Sequence, residues 1–158
     1  MLSTECLEEM YRFFRSFELD ESVNHIWVEN RGTNCFGGGV ELDEVVRDDD
    51  YLRKLFQLTC AFAKMNKPVF GHVKGSVRGA SAYLLRMLSR PFGATNANLQ
   101  LDDIDHGWVP TCGGSYQLSR LTGDIGTYLA LTGESIDADE MCELGFLYAL
   151  LRQGKKDW

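Results

Sequence analysis

Short apolar runs alternate with amphipathic helices along this chain, and glycine stands at the junctions. Val23–Glu29 (VNHIWVE) reads as a strand and opens into a glycine-rich loop, Arg31–Glu44, with consecutive glycines at Gly37–Gly39. Val69–Val73 reads as a second short strand, and Lys74–Gly79 (KGSVRG) turns from it into a helix over Ala80–Leu88. Strands that alternate in this way with helices predict an α/β chain with at least some parallel pairing, because parallel neighbours need a crossover connection between them.

The remaining segments fit the same alternation. Ser3 or Thr4 caps a first helix on which Cys6, Met10, Phe13, Phe14 and Phe17 recur at helical spacing. Glu5, Glu8 and Glu9 sit near its positive end. Tyr51–Met65 is a second amphipathic helix, stopped by Asn66, Lys67 and Pro68. Ala97–Leu101 reads as extended, Asp102–Gly107 as an acidic helical turn, and Trp108–Ser115 as a loop entering a helix that ends near Gly123. Thr127–Leu131 is helical and closed by Gly133. Asp137 with Glu140 forms a capping box for a helix that ends at Gly145. Phe146–Leu151 reads as extended, and the tail RQGKKDW is polar. No linker, repeat or low-complexity tract divides the 158 residues, which predicts one domain over 1–158 with a core that needs no disulfide or metal.

Composition narrows the function classes. The net charge is −7 and there is no Lys/Arg-rich run, which argues against nucleic acid as a partner. Five scattered cysteines, Cys6, Cys35, Cys60, Cys112 and Cys142, lack CxxC spacing and read as reduced thiols. His25, His72 and His106 are far apart, and no His/Cys spacing implies a metal. No apolar run approaches the ~20 residues of a membrane span, so no membrane insertion is expected. The opening MLSTECLEEM has the pattern of neither a secretory signal nor an Arg-rich transit peptide, so the protein is not expected to be secreted.

Five segments together resemble the crotonase (enoyl-CoA hydratase/isomerase) superfamily. The first helix with VNHIWVENRG is similar to that family's opening helix and strand. CFGGGVELDE resembles its FCAGGD loop, KPVFGHVKGSVRGASA its KPVIAAVNG…GGG segment, GWVPTCGGSYQLSRLTG its GLIPGAGGTQRLPRLVG, and YLALTGESIDADEMCELGF its LLLTGRPIDAEEALELGLV. The match is collinear from about Leu2 to Leu151. Gly113–Tyr116 and Leu129–Gly133 tilt it toward the 3-hydroxyisobutyryl-CoA hydrolase branch. The resemblance implies a crotonase-like (ClpP/crotonase) spiral of ββα units, here truncated at both ends. It also implies a coenzyme A thioester as substrate or ligand with no other cofactor.

Carried over residue by residue, the resemblance places two backbone N–H donors of an oxyanion hole at Gly37 and Ala80, with Gly38, Gly39 and Gly79 lining the substrate. Small residues let a thioester oxygen approach closely. The alternative is that these glycines are a flexible turn and a site of close helix–strand packing. The proton-handling positions depart from the pattern. The Glu of hydratases falls on Tyr83, whose pKa of roughly 10 makes it a poor base near neutrality. The second Glu falls on Asp103, which keeps the charge but is one methylene shorter, and is the one candidate catalytic side chain. The hydrolase branch's Asp falls on Thr111, and the Asp after the FCAGG loop falls on Val40. Asp102, Asp103 and Asp105 read equally as a solvated acidic turn. His72 reads as a packed strand residue and Ser115 as a helix cap. Cys35 and Cys112 lie in the implied site loops without a neighbouring His.

Two functions follow as expectations. The first is a catalytically impaired crotonase-fold subunit acting in a homo-oligomer or larger assembly, because family members carry terminal segments that would cover apolar faces and sheet edges here. The second is an acyl-CoA thioester hydrolase, or a hydratase/isomerase, working through the backbone donors and Asp103. The resemblance implies a mitochondrial compartment, with cytoplasmic as the alternative.

Overall fold

The computed structural model describes residues 1–151; the polar tail RQGKKDW lies outside the described residues. Its strands are β1 (Ile26–Glu29), β2 (Cys35–Gly37), β3 (Val69–Val73), β4 (Ser76–Arg78), β5 (Arg90–Gly93), β6 (Asn98–Gln100), β7 (Ser135–Asp137) and β8 (Ala149–Leu150). The helices are α1 (Thr4–Leu19), α2 (Leu42–Arg47), α3 (Tyr51–Ala63), α4 (Ala80–Leu85), α5 (Gly114–Leu118), α6 (Ile125–Thr132) and α7 (Ala138–Glu143).

Through β6, successive strands fall alternately into two sheets. One has the order β1-β3-β5-β8 and is parallel throughout. The other has the order β2-β4-β6-β7, parallel except for the antiparallel β6–β7 pair. Each close pair of strands leaves one strand in each sheet, and the helical segment that follows carries the chain back to add the next pair. That is a spiral of ββα units, the α/β architecture expected. Asn30 locks two of the corners together: its side-chain amide donates to Cys35 O and to Lys74 O, both at 3.0 Å.

The long amphipathic helices form where the spacing predicts them. Ser3 caps α1 by accepting from Cys6 N–H at 3.2 Å. Its buried face packs on α3, where the Phe14 and Phe62 rings lie 4.2 Å apart at 53°. Tyr51 opens α3 fully buried and donates to Leu2 O; burial pushes its phenol up to about 12. Asp137 and Glu140 form the expected capping box on α7.

Several expectations need correction. The first strand starts at Ile26, not Val23, and Val23 N–H instead closes a turn on Asp20 O at 3.0 Å. The glycine-rich loop hides β2 and α2. KGSVRG contains β4 rather than being turn alone, and β5 and β7 have too few residues to show an alternation. α4 ends at Leu85 and α5 at Leu118, each earlier than expected. Only Ala149–Leu150 of the last extended run pairs in a sheet. Ser115 is no cap, because Gly113 holds that position in a left-handed conformation, φ 74°.

Candidate functional site

The site begins where β2 and β4 end. Gly39 (φ 78°) and Gly79 (φ 43°) sit against each other in conformations that side-chain-bearing residues avoid. A Cβ on Gly39 would stand 3.4 Å from Arg78 O, so the loop rests on the backbone entering α4. Gly39 N–H donates to Ser81 Oγ at 3.1 Å in a buried bond that fastens the loop to the helix. Gly79 N–H donates to Gln100 O at 3.1 Å. Ala80 is the first residue of α4, so its N–H has no partner within the helix.

Gly38, Gly39, Gly79, Ala80 and Asp103 line one cavity of about 20 Å³, closed by Leu42, His106 and Trp108 among others. That volume holds about one water molecule. Gly37 does not line this cavity. It lines a larger apolar one of about 530 Å³, which shares Met1 and Gly38 with the small cavity, and a Cβ on it would meet Ser81 Cβ at 2.5 Å. Close packing therefore accounts for glycine at Gly37, whatever its N–H does.

Asp103 and Tyr83 meet at the bottom. Tyr83 is fully buried on α4, and its hydroxyl donates to Asp103 Oδ2 at 2.7 Å. Burial pushes the Asp103 carboxyl above its ordinary value, and the Tyr83 hydrogen bond only partly offsets this. Burial, and then the neighbouring Asp103, push the Tyr83 phenol well above its own. Tyr83 is thus a fixed hydrogen-bond donor and no base. The reading of Asp102–Asp105 as a solvated turn fails for its first two members. Asp102 and Asp103 are 8% and 6% exposed, because the 3₁₀ turn at Asp102–His106 rolls them inward. Arg78 pairs with Asp102 at 3.3 Å. Asp105 alone of the three carboxylates stays exposed.

The Asp103 shift has a consequence for stability. A carboxyl raised in the folded state contributes fully below its unfolded value near 3.8, and that contribution is lost as pH rises through the higher folded value. Asp103→Asn removes the ionisation while keeping an acceptor for Tyr83. In urea melts across a pH series, its stability relative to the parent should improve as pH rises above about 4 and level off once pH passes the raised folded value. A trend the other way would mean that the ionised carboxylate is favourably held.

The other candidates fall away from this cavity. Thr111 and Gly37 do not line it, whereas Val40 does. Cys112 is buried with its thiol pushed up by that burial, the wrong direction for a thiolate nucleophile. Its φ of 48° is the one positive value outside glycine among the described residues. Cys35 is exposed. His72 is a strand residue with Nδ1 3.7 Å from Glu29 Oε2, and His25 and His106 are exposed. Among the described residues no cluster of His, Cys, Asp or Glu is suited to a metal ion, and no helix is long and apolar enough to cross a membrane. Trp108, whose indole N–H is buried without an acceptor, went unmarked in the sequence because it carries no spacing signal of its own.

The chain as a whole is similar to known proteins. The family model described as enoyl-CoA hydratase/isomerase matches residues 1–157. The chain is 28% identical over 153 residues to 3-hydroxyisobutyryl-CoA hydrolase 1 of Arabidopsis thaliana, covering 91% of this chain and 40% of that protein. It is 25% identical over 159 residues to small ribosomal subunit protein mS47 of the same plant, covering 94% and 39%. An enoyl-CoA hydratase structure from Bacillus anthracis superposes with a TM-score of 0.87 at 22% identity, over 96% of this chain and 61% of that one, a likeness of fold. The chain spans about two fifths of the length of the first curated relatives it matches.

Proposed function

The chain belongs to the enoyl-CoA hydratase/isomerase family, and we propose that within it this protein is a non-catalytic crotonase-fold subunit of an oligomer or larger assembly. The observation that carries the reading is the state of the small cavity. The one carboxylate at a family catalytic position is held by the Tyr83 hydroxyl at 2.7 Å, at the floor of a space of about 20 Å³. An acyl thioester needs a pocket at least an order of magnitude larger. The Tyr83–Asp103 pair then serves packing rather than proton transfer.

A surface feature supports the interaction role. The outer face of the β1-β3-β5-β8 sheet carries Trp27, Phe70, Phe92 and Tyr148 in a contiguous stripe, with ring centroids 5.7 to 6.3 Å apart. Trp27 and Tyr148 are 49% and 58% exposed. Aromatic residues of this kind dominate the binding energy of protein interfaces. A relative named as a ribosomal subunit protein supports an assembly role for the family's fold. A mitochondrial compartment is part of the proposal, since a hydrolase relative from Gallus gallus is named mitochondrial.

The second reading is a thioester hydrolase in which Gly37 and Ala80 N–H groups hold the oxyanion and Asp103 handles the proton. It is favoured by the placement of Asp103 in the same cavity as Ala80 and by relatives named as hydrolases. It requires Leu42 and Trp108 to move aside. Incubation with 3-hydroxyisobutyryl-CoA and with an enoyl-CoA, followed by chromatography of the products, separates the two. We expect no turnover above the uncatalysed rate, and no binding of coenzyme A by calorimetry. Turnover that drops about a hundredfold or more in Asp103→Ala would establish the hydrolase instead.

A further inference from the structure

Two exposed faces that cannot meet within one copy each carry what the other lacks. The first is the outer face of the β1-β3-β5-β8 sheet. Strand register places Trp27, Phe70 and Arg90 there in one row: aromatic, aromatic, cation. The Arg90 guanidinium lies 4.2 Å from the centre of the Tyr148 ring and makes no ion pair among the described residues. The one acid of these strands, Glu29, is already shared by His72 and Lys74 at 3.7 and 3.9 Å. The second face is the exposed side of α1, where Glu5, Glu9, Phe13 and Phe17 follow at intervals of four and so form one stripe. Phe13 and Phe17 are 58% and 37% exposed with their ring centroids 6.1 Å apart. Glu5 and Glu9 make no ion pair among the described residues. Met10 of α1 and Val28 of β1 line one cavity, so α1 lies on the inner side of the sheet, from which Trp27 points away.

The two faces match in length and in the order of their chemistry. From Glu5 to Phe17 the stripe runs roughly 18 Å at ~1.5 Å per residue. Four strands at ~4.8 Å each span roughly 19 Å. With Phe17 and Phe13 laid on Trp27 and Phe70, the stripe crosses the strands and brings Glu9 to Arg90. A sheet-to-sheet contact would offer Arg90 no free acid, because Glu29 is engaged. We propose that this chain binds a second copy of itself through this contact, the α1 stripe of one copy seated on the sheet face of the next. The contact rests on the interaction role proposed above and names its partner and both surfaces. Because the surfaces differ, it is head-to-tail and builds rings or open chains rather than a two-fold pair. Its footprint is at the small end of specific interfaces, so association is weak and rises with concentration.

The test is sedimentation velocity on the full chain from about 1 to about 100 μM, where the mean mass should climb above the monomer. Trp27→Glu disables the sheet face and Phe13→Glu the helix stripe. Both positions are exposed, so both variants should fold, with circular dichroism as the check. Each alone should stay monomeric. Mixed in equal amounts they should form a one-to-one dimer and nothing larger, since each supplies the face the other has lost. Arg90→Glu should weaken association about tenfold. Mixing it with Glu9→Arg should restore a one-to-one pair through the reversed charges, and this mixture decides the matter if Trp27→Glu does not fold. A folded parent that stays monomeric over the whole range would overturn the proposal. So would a mixture that does not pair, or a loss in Trp27→Glu but not in Phe13→Glu, which would mean that sheet meets sheet. Every arm reads mass and not turnover, so these results leave the non-catalytic reading standing. Turnover of an acyl-CoA by an associating parent would instead overturn that reading alone.

Discussion

Tyr83→Glu is expected to destabilise the protein by about 3–5 kcal/mol at neutral pH without creating hydratase activity. Glutamate is the residue that the resemblance to hydratases places at this position, so on sequence alone the change reads as a restoration. The structure reverses the expectation. The Tyr83 hydroxyl is fully buried and donates to Asp103 at 2.7 Å, so a second carboxylate would face the first with no donor between them. Two like charges at that separation cannot both ionise comfortably, and one would hold its proton far above the usual carboxylate range. The loss should therefore shrink as pH falls toward 4 and one proton is shared. For a domain of this size it corresponds to a fall in melting temperature of roughly 10 °C or more at pH 7. A variant as stable as the parent at neutral pH, or one that hydrates an enoyl-CoA, would show that the cavity is open to water and ligand. The non-catalytic reading would then fall.

The second large effect is expected at Gly126, which does not line that cavity. Gly126 lies in the first turn of α6, and a Cβ there would run into the backbone of Leu118 at the end of α5, with the Leu118 carbonyl carbon at 2.7 Å. The obstacle is main chain, which cannot swing aside as a side chain does. Gly126→Val should cost about 3 kcal/mol or more, above the usual range for overpacking because α5 and α6 must separate. Gly126→Ala should cost less but in the same direction, despite alanine's higher helix propensity. Gly123 is the control: it has nothing within 4 Å, and its φ of 62° is the sole objection to a side chain. Gly123→Asn should thus stay within about 1 kcal/mol of the parent, since asparagine tolerates that conformation. Chemical denaturation of the three variants decides it. A stable Gly126→Val would mean that α5 and α6 are not packed as described.

These outcomes show how much of the molecule its sequence carries. The long helices α1 and α3 were legible because many apolar residues repeat at the helical period, and local caps mark the starts of α1 at Ser3 and of α7 at Asp137 by chemistry that needs no distant partner. The alternation of strand and helix, and with it the α/β class, was legible for the same reason. Several of the strands of three or four residues were not. β4, β5 and β7 are too short for a period to emerge, and they exist because neighbours supply their hydrogen bonds.

The resemblance named candidate residues, and their contacts were not legible in it. Gly38, Gly39, Gly79, Ala80 and Asp103 line one cavity, and no local signal in the sequence says so. That Asp102 and Asp103 turn inward, that Tyr83 reaches Asp103, and that Gly37 packs against Ser81 are matters of contact across 20 to 44 positions of chain. By itself, the sequence determined the order of elements and the types of side chain available to a site. Only the tertiary structure decided which of those groups are desolvated and which touch. Burial and hydrogen bonding set a carboxylate's properties, and both are supplied by residues remote in the chain.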